Sequence, residues 1–176
     1  MPEPGTAAPK RAVLLDFDDA ADFSSWTPVD DVVMGGVSRS TFTPAEPGTA
    51  RFAGSVSLEN FGGFASVRTI PRAWDTTGAT AFVLRVRGDG RTYKFTVRAE
   101  DGFDGIQYQS RFTPQAGEWR EARLPLDSFS ATFRGRVVPG APPLDAGRVR
   151  ALGLMISDGQ AGAFDLLVDW IAAEIT

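Results

Sequence analysis

Few residue types in this sequence are able to do chemistry, because its 176 residues include no cysteine and no histidine. The chain therefore lacks a thiolate nucleophile, the usual general base near neutral pH and the commonest protein ligands of zinc. Catalysis would have to rest on carboxylates, lysine, tyrosine or a bound cofactor.

Two adjacent acids, Asp30 and Asp31, are the first candidates for acid–base work. Successive residues of a strand point to opposite faces, so these two carboxylates are not placed to share a proton. We predict instead that one of them caps a turn and that the other pairs with an arginine such as Arg39 or Arg68.

Three further acids, Asp101, Asp104 and Asp158, lie in the glycine-rich stretches EDGFDG and SDGQAG. Carboxylate oxygens are ligands for calcium, but the spacing is not that of an EF-hand, and Asp-Gly is also common turn chemistry. We predict turns at these positions. No metal site, no cofactor and no catalytic residue is predicted.

The elements that position these residues are strands, because the dominant hydrophobic period is two. In AFVLRVRGDGRTYKFTVR, apolar residues alternate on both sides of GDGR, which predicts a β-hairpin with an Asp-Gly turn. In AFDLLVDWI the alternation from Phe164 to Trp170 predicts one buried face that includes Trp170. About nine or ten such strands with little helical pattern predict an all-β sandwich or barrel.

Composition limits the classes of partner and compartment. A net charge of −4 without a basic block argues against nucleic acid. No apolar run reaches the ~20 residues of a transmembrane helix, and the N-terminus has no apolar signal region. We predict a flexible tail over residues 1–11, a single β-sandwich domain over 12–176 and a cytoplasmic location.

Two Gly-Gly steps, Gly35-Gly36 and Gly62-Gly63, lie in the stretches DDVVMGGVSRS and NFGGFASVR. Glycine permits positive φ and close backbone approach, so both pairs are predicted to be structural glycines. Two interpretations are open: the glycines let bulged strands pack, or they line a cleft that admits a ligand. Neither stretch is a phosphate loop, since no Lys-Ser/Thr follows.

Several separated stretches resemble one family. They are WTPVDDVVMGGVSRS (26–40), NFGGFASVR (60–68), RVRGDGRTYKFTVR (85–98), YQSRF, GEW, LPLDSFSATFRGR (124–136) and LGLMISDGQAGAFDLLVDWI (152–171). Together and in this order they are similar to the complex I intermediate-associated protein family, over roughly residues 13–175.

The resemblance implies a galactose-binding-domain-like β-sandwich, or jelly roll. It also implies a chaperone-like role, because mitochondrial members help to assemble respiratory complex I. The chain lacks the long N-terminal extension of those members, so we expect a bacterial member. The family has no established catalytic residues, and none is transferred.

We predict that the region built by residues 26–40 and 60–68 binds a protein partner such as a respiratory-complex subunit. The candidate binding residues are Trp26, Asp30, Asp31, Met34, Arg39, Asn60, Arg68, Gln107 and Gln109. Trp26 is either a stacking platform or a core residue. The face that the two glutamines share with Arg111 is either a hydrogen-bonding surface or an ordinary solvated one.

Two other functions stay open. The fold implied by the resemblance also suits a carbohydrate-binding module that holds a glycan. A carboxylate-dependent hydrolase requires paired acids, which the sequence does not reveal.

Overall fold

The computed structural model describes residues 10–31, 36–59, 63–100 and 105–175. Thirteen strands lie in these ranges: β1 Lys10–Leu15, β2 Trp26–Pro28, β3 Arg39–Pro44, β4 Ala50–Val56, β5 Ala65–Thr69, β6 Ala79–Arg87, β7 Tyr93–Arg98, β8 Gln107–Phe112, β9 Trp119–Pro125, β10 Ser130–Phe133, β11 Arg136–Val137, β12 Ala151–Ile156 and β13 Gly162–Ile175. One short helix, α1, spans Ala21–Ser24, and single 3-10 turns span Leu126–Ser128 and Ala146–Arg148. In the described ranges no helix has the length and apolarity to cross a membrane.

The strands form two antiparallel sheets. Sheet A has the order β3-β4-β13-β6-β9, with β1 also paired to β13, and sheet B has the order β11-β10-β8-β7-β12-β5-β2. The predicted all-β sandwich is therefore confirmed, with more strands than the sequence pattern indicated.

The core lies between the sheets and is built by every second side chain of each strand. Sheet A contributes side chains such as Phe52 and Phe82, and sheet B contributes Phe95 and Leu154, all fully buried. Phe82 and Phe95 meet across the two sheets with ring centroids 5.3 Å apart. The intervening side chains of each strand point outward, and these outward side chains form the surface of the sandwich.

The hairpin predicted around GDGR is wrong. β6 pairs with β13 and β9 in sheet A, whereas β7 pairs with β12 and β8 in sheet B. The turn thus carries the chain from one sheet to the other. Asp89 fastens the crossing, because its carboxylate accepts hydrogen bonds from the Tyr93 hydroxyl at 3.0 Å and from the backbone N–H of Asp165 at 2.9 Å.

The burial predicted for Trp170 is also wrong. The pairing of β13 with β6 shifts register between Val168 and Trp170, which marks a β-bulge. Beyond the bulge the alternation of inward and outward side chains reverses. Ile171 is therefore fully buried, and Trp170 lies half-buried on the outer face of sheet A. The guanidinium of Arg11 lies 5.5 Å from the Trp170 ring centroid.

The N-terminal strand begins inside the predicted tail. Lys10 and Arg11 belong to β1 and pair with Ile175 and Glu174 of β13. Arg11 also forms an ion pair with Glu121 at 3.0 Å. The remainder of the predicted tail, residues 1–9, lies outside the described residues.

Candidate functional site

Asp31 anchors the connection between β2 and β3 to the connection before β5. Its carboxylate is buried and accepts hydrogen bonds from the Ser38 hydroxyl at 2.6 Å and the Ser38 N–H at 2.8 Å. It also accepts from the N–H groups of Gly63 at 2.7 Å and Phe64 at 3.3 Å. Burial by itself raises the pKa of Asp31, but the hydrogen bonds from Ser38, Gly63 and Phe64 outweigh it, and the pKa lies below its ordinary value of 3.8.

Asp30 ties the two sheets together directly. Its carboxylate accepts from the hydroxyl and N–H of Ser40 on β3, at 2.6 and 3.0 Å, and from the N–H of Ser66 on β5 at 3.0 Å. The Ser66 hydroxyl donates in turn to the carbonyl of Val29. The consecutive acids thus serve two separate anchors, one at Ser40 and Ser66 and the other at Ser38, Gly63 and Phe64.

The glycines beside Asp31 explain the repeated Gly-Gly pattern. A Cβ on Gly36 would overlap the Asp31 carboxylate, so the missing side chain leaves the space that this carboxylate occupies. Gly63 has φ of 149° and offers its N–H to the same carboxylate. Gly36 and Gly63 thus lie against the Asp31 carboxylate, whereas Gly35 and Gly62 lie outside the described residues. The structural role of the four glycines stays a prediction.

These contacts correct the predicted role of the two aspartates. Serine hydroxyls and backbone N–H groups supply the hydrogen bonds for which we expected an arginine. Both carboxylates point into the structure, and Asp31 has 1% of its surface exposed, so it is not displayed to a partner. The predicted contact between segment 26–40 and segment 60–68 is present, and it is a structural one.

The other candidate residues separate into different places. Trp26 has 7% of its surface exposed and stacks on Phe42 with centroids 4.3 Å apart, so it is a core residue and not a platform. Arg39 is exposed on β3, at the edge of sheet A. Met34 and Asn60 lie outside the described residues.

Arg68, Gln107 and Gln109 do share one surface. We call it the polar face of sheet B and define it as the outward side chains of four strands: Ser66 and Arg68 of β5, Ala151, Gly153 and Met155 of β12, Lys94, Thr96 and Arg98 of β7, and Gln107, Gln109 and Arg111 of β8. The register aligns Arg68, Gly153, Thr96 and Gln109 in one row across the sheet. A neighbouring row aligns Ser66, Met155, Lys94 and Arg111.

The centre of this face is recessed. Lys94, Thr96 and Arg98 point away from the core, yet each is less than a tenth exposed. Arg68 and the two glutamines are half-buried, and Arg111 is exposed at the margin. A buried floor below partly exposed polar side chains is suited to hydrogen-bonding a ligand that lies across the strands.

Glycine is also required on this floor. Gly153 pairs with both Arg68 and Thr96, and a Cβ there would overlap the Thr96 hydroxyl and approach the carbonyl of Val67 to 2.9 Å. The absence of a side chain at Gly153 leaves this space to the Thr96 hydroxyl and the Cβ of Arg68.

Our sequence reasoning missed Lys94, Thr96, Arg98 and Gly153 as members of this surface. The signal was available in YKFTVR, because the alternation that buries Tyr93, Phe95 and Val97 in the core turns the intervening residues outward. What the sequence did not reveal is that β12 lies between β7 and β5, which places β8, β7, β12 and β5 side by side.

The lowered pKa of Asp31 predicts a specific pH dependence. Because the folded pKa is lower than the unfolded value near 3.8, the ionised carboxylate stabilises the fold fully above that value, and this contribution is lost as the pH falls through the folded pKa. We expect the stability difference between the wild type and Asp31→Asn, measured by urea unfolding, to be constant from pH 7 to about pH 5 and to shrink at lower pH. A difference that grows on acidification would contradict this assignment.

The fold defines the class of protein as a galactose-binding-like β-sandwich of the kind found in carbohydrate-binding modules. The family 11 carbohydrate-binding module of the Clostridium thermocellum cellulase Lic26A-Cel5E superimposes with a TM-score of 0.74, covering 97% of each chain at 15% identity. A family 29 carbohydrate-binding module superimposes with a TM-score of 0.53 at 9% identity, covering 94% of this chain and 91% of that one. At such identities the likeness concerns the fold alone.

Sequence comparison gives the family. Residues 15–168 match the model for complex I intermediate-associated protein 30, and the chain belongs to that family. It is 28% identical to mitochondrial complex I intermediate-associated protein 30 of Drosophila melanogaster, over 92% of this chain and 62% of that protein. The mouse protein of the same name is 27% identical over 90% of this chain and 55% of its own length. The chain thus spans little more than half the length of these relatives.

Proposed function

We propose that this domain is a non-enzymatic binding module that takes part in the assembly of respiratory complex I by holding a protein partner. The observation that carries the proposal is membership of the complex I intermediate-associated protein 30 family across residues 15–168. We propose that the cellular location of the protein is the place where complex I intermediates assemble. The expected bacterial origin and cytoplasmic location stay predictions.

The polar face of sheet B is our proposed partner-binding surface. It combines half-buried hydrogen-bonding side chains, including Arg68 and Gln109, with a recessed floor, and it lies beside the anchored segments 26–31 and 63–68. Two of the predicted anchors, Asp30 and Asp31, then act indirectly by holding the margin of the surface in place.

The carbohydrate-binding alternative receives less support from this surface. Sugar rings commonly stack on exposed aromatic side chains, and the outward side chains of β5, β7, β8 and β12, all within the described ranges, include no aromatic residue. The hydrolase alternative needs two acids facing one another across a cleft. The adjacent acids Asp30 and Asp31 accept hydrogen bonds from separate serine and backbone donors instead.

The test is capture of complex I intermediates by the immobilised domain from solubilised respiratory membranes, read out by mass spectrometry. We expect complex I subunits to be enriched with the wild type, and we expect Arg68→Ala combined with Gln109→Ala to lower that enrichment about tenfold or more, since central interface residues carry most of the binding energy. The matched control is Arg120→Ala combined with Gln115→Ala, which removes the same two residue types from exposed positions outside the polar face.

Each outcome decides the proposal. Enrichment that is lost in the polar-face variant and kept in the control supports it, provided that circular dichroism shows both variants folded. A wild type that enriches no complex I subunit contradicts the assembly role, and equal loss in both variants contradicts the assignment to this face.

A further inference from the structure

The outward side chains of the polar face of sheet B include four cations, although the net charge of the chain is −4. They are Arg68, Lys94, Arg98 and Arg111. None of the outward residues of its four strands, all within the described ranges, is acidic. A cationic surface on an acidic protein selects for anionic partners through complementary potential.

A carboxylate of the chain itself already binds at the margin of this face. Asp158, in the turn after β12, accepts from Lys94 Nζ at 3.1 Å and from Arg111 Nε at 3.0 Å. The hydrogen bond from Arg111 is the main cause of a pKa of Asp158 below its ordinary value, and Lys94 adds to it. The face therefore stabilises an ionised carboxylate by drawing donors from two neighbouring strands.

The remaining two cations are Arg98 on the central strand β7 and Arg68 on β5, near the edge of the sheet. Arg98 has 6% of its surface exposed, and Arg68 is half-buried two strands away. Burial and the nearby charge of Arg98 lower the pKa of Arg68 to about 10, so the guanidinium stays protonated at neutral pH in surroundings that disfavour its charge. Both guanidiniums have contacts in the free protein. An incoming carboxylate would add an opposite charge where two like charges already repel.

The row that includes Arg68 also offers neutral polar groups. Thr96 and Gln109 follow it across the sheet, separated from it by Gly153, whose backbone carries no side chain above the floor. A chain lying along this row would meet cationic and amide donors in succession, which suits alternating carboxylate and main-chain acceptors better than a single small anion.

We propose, resting on the binding role proposed above, that the polar face of sheet B holds an extended acidic segment of the partner polypeptide, with its carboxylates over Arg68 and Gln109 and above the recessed charges of Lys94 and Arg98. The source of the ligand is a protein segment rich in Asp or Glu. A membrane surface or a glycan on this face is an alternative that the experiment tests.

The experiment is fluorescence anisotropy with a labelled peptide of alternating Glu and Ser, compared with the same peptide carrying Gln in place of Glu. We expect the Glu peptide to bind at least about tenfold more tightly, with affinity falling as salt increases. Arg68→Gln should weaken binding about tenfold, since it removes a charged donor from the row along which the peptide would lie. The control Arg120→Gln removes the same charge from an exposed position on β9 of sheet A and should change affinity less than about twofold.

Chemical-shift mapping on the wild-type protein keeps the test independent of whether Arg68→Gln folds. The Glu peptide should shift the amide signals of Arg68, Thr96 and Gly153 and leave those of β3 unchanged. Equal affinity for the two peptides, shifts centred on sheet A, or tighter binding to anionic phospholipid vesicles or to a glycan would each overturn the inference.

The two proposals fail separately. If the Glu peptide does not bind while the domain still captures complex I subunits through Arg68, the acidic-segment inference is wrong and the assembly role stands. If the peptide binds as expected and no complex I subunit is captured, the surface chemistry is right and the assembly role is wrong.

Discussion

Replacing Asp31 with alanine should lower the free energy of unfolding by about 4 kcal/mol, because buried donors left without an acceptor cost about 1–3 kcal/mol each and water entering the vacated space recovers part of the loss. The donors are the hydroxyl and N–H of Ser38 and the N–H groups of Gly63 and Phe64. These donors belong to two chain segments, the connection between β2 and β3 and the connection before β5. The substitution therefore loosens both segments at once. Urea unfolding at pH 7 measures the change.

The control for this prediction is Asp127→Ala, at an exposed acid in the 3-10 turn Leu126–Ser128. It should change stability by no more than about 0.5 kcal/mol, as is usual for surface substitutions. If Asp31→Ala were as mild as the control, the carboxylate would not be the anchor that its contacts indicate.

Replacing Gly36 with alanine should cost about 2–4 kcal/mol, since the new methyl group would occupy the position of the Asp31 carboxylate and force the anchor out of place. The same substitution in the background of Asp31→Ala should cost less than about 1 kcal/mol, because the obstructing group is gone. Residues in contact are expected to show such non-additivity. Unfolding curves of the wild type, the two single variants and the double variant give the coupling free energy.

Two other glycines provide comparisons for this cycle. Gly54→Ala should be strongly destabilising in both backgrounds, because its Cβ would overlap the backbone carbonyl of Arg39, which cannot move aside as a side chain can. Gly117 has φ of 73° with no heavy atom within 4 Å of its Cβ position, so Gly117→Ala reports backbone strain without overlap. Additive effects of Gly36→Ala and Asp31→Ala would show that the glycine serves some purpose other than making room for the carboxylate.

Local pattern predicted the strands, and it predicted their inner and outer sides where no bulge intervenes. In β8, Gln107 and Gln109 do share one outward face with Arg111, as predicted, and the intervening Tyr108, Ser110 and Phe112 are buried. This succeeds because the side-chain period of a strand is a property of the backbone at each residue. The resemblance of the separated motifs to one family added the sandwich fold, which the structure confirms.

Pairing partners were not available from local pattern. GDGR between two alternating segments has the composition of a hairpin turn, yet β6 and β7 enter different sheets, because their pairing energy comes from β13, β9, β12 and β8. In the same way the bulge between Val168 and Trp170 follows from the pairing of β13 with β6, and nothing in VDWI distinguishes it from a regular strand.

Residue order alone thus established the chemistry that is absent, the strands with their inner and outer sides, and two glycine-rich segments that belong together. Only the assembled sandwich decided that Asp31 is an internal anchor bonded to Gly63, that Trp26 is buried, and that Arg68, Thr96 and Gln109 form one row. The physical reason is the separation in sequence over which each kind of interaction acts. Alternation and turn chemistry act between neighbouring residues, whereas these contacts join segments distant in sequence and depend on which strands the two sheets bring side by side.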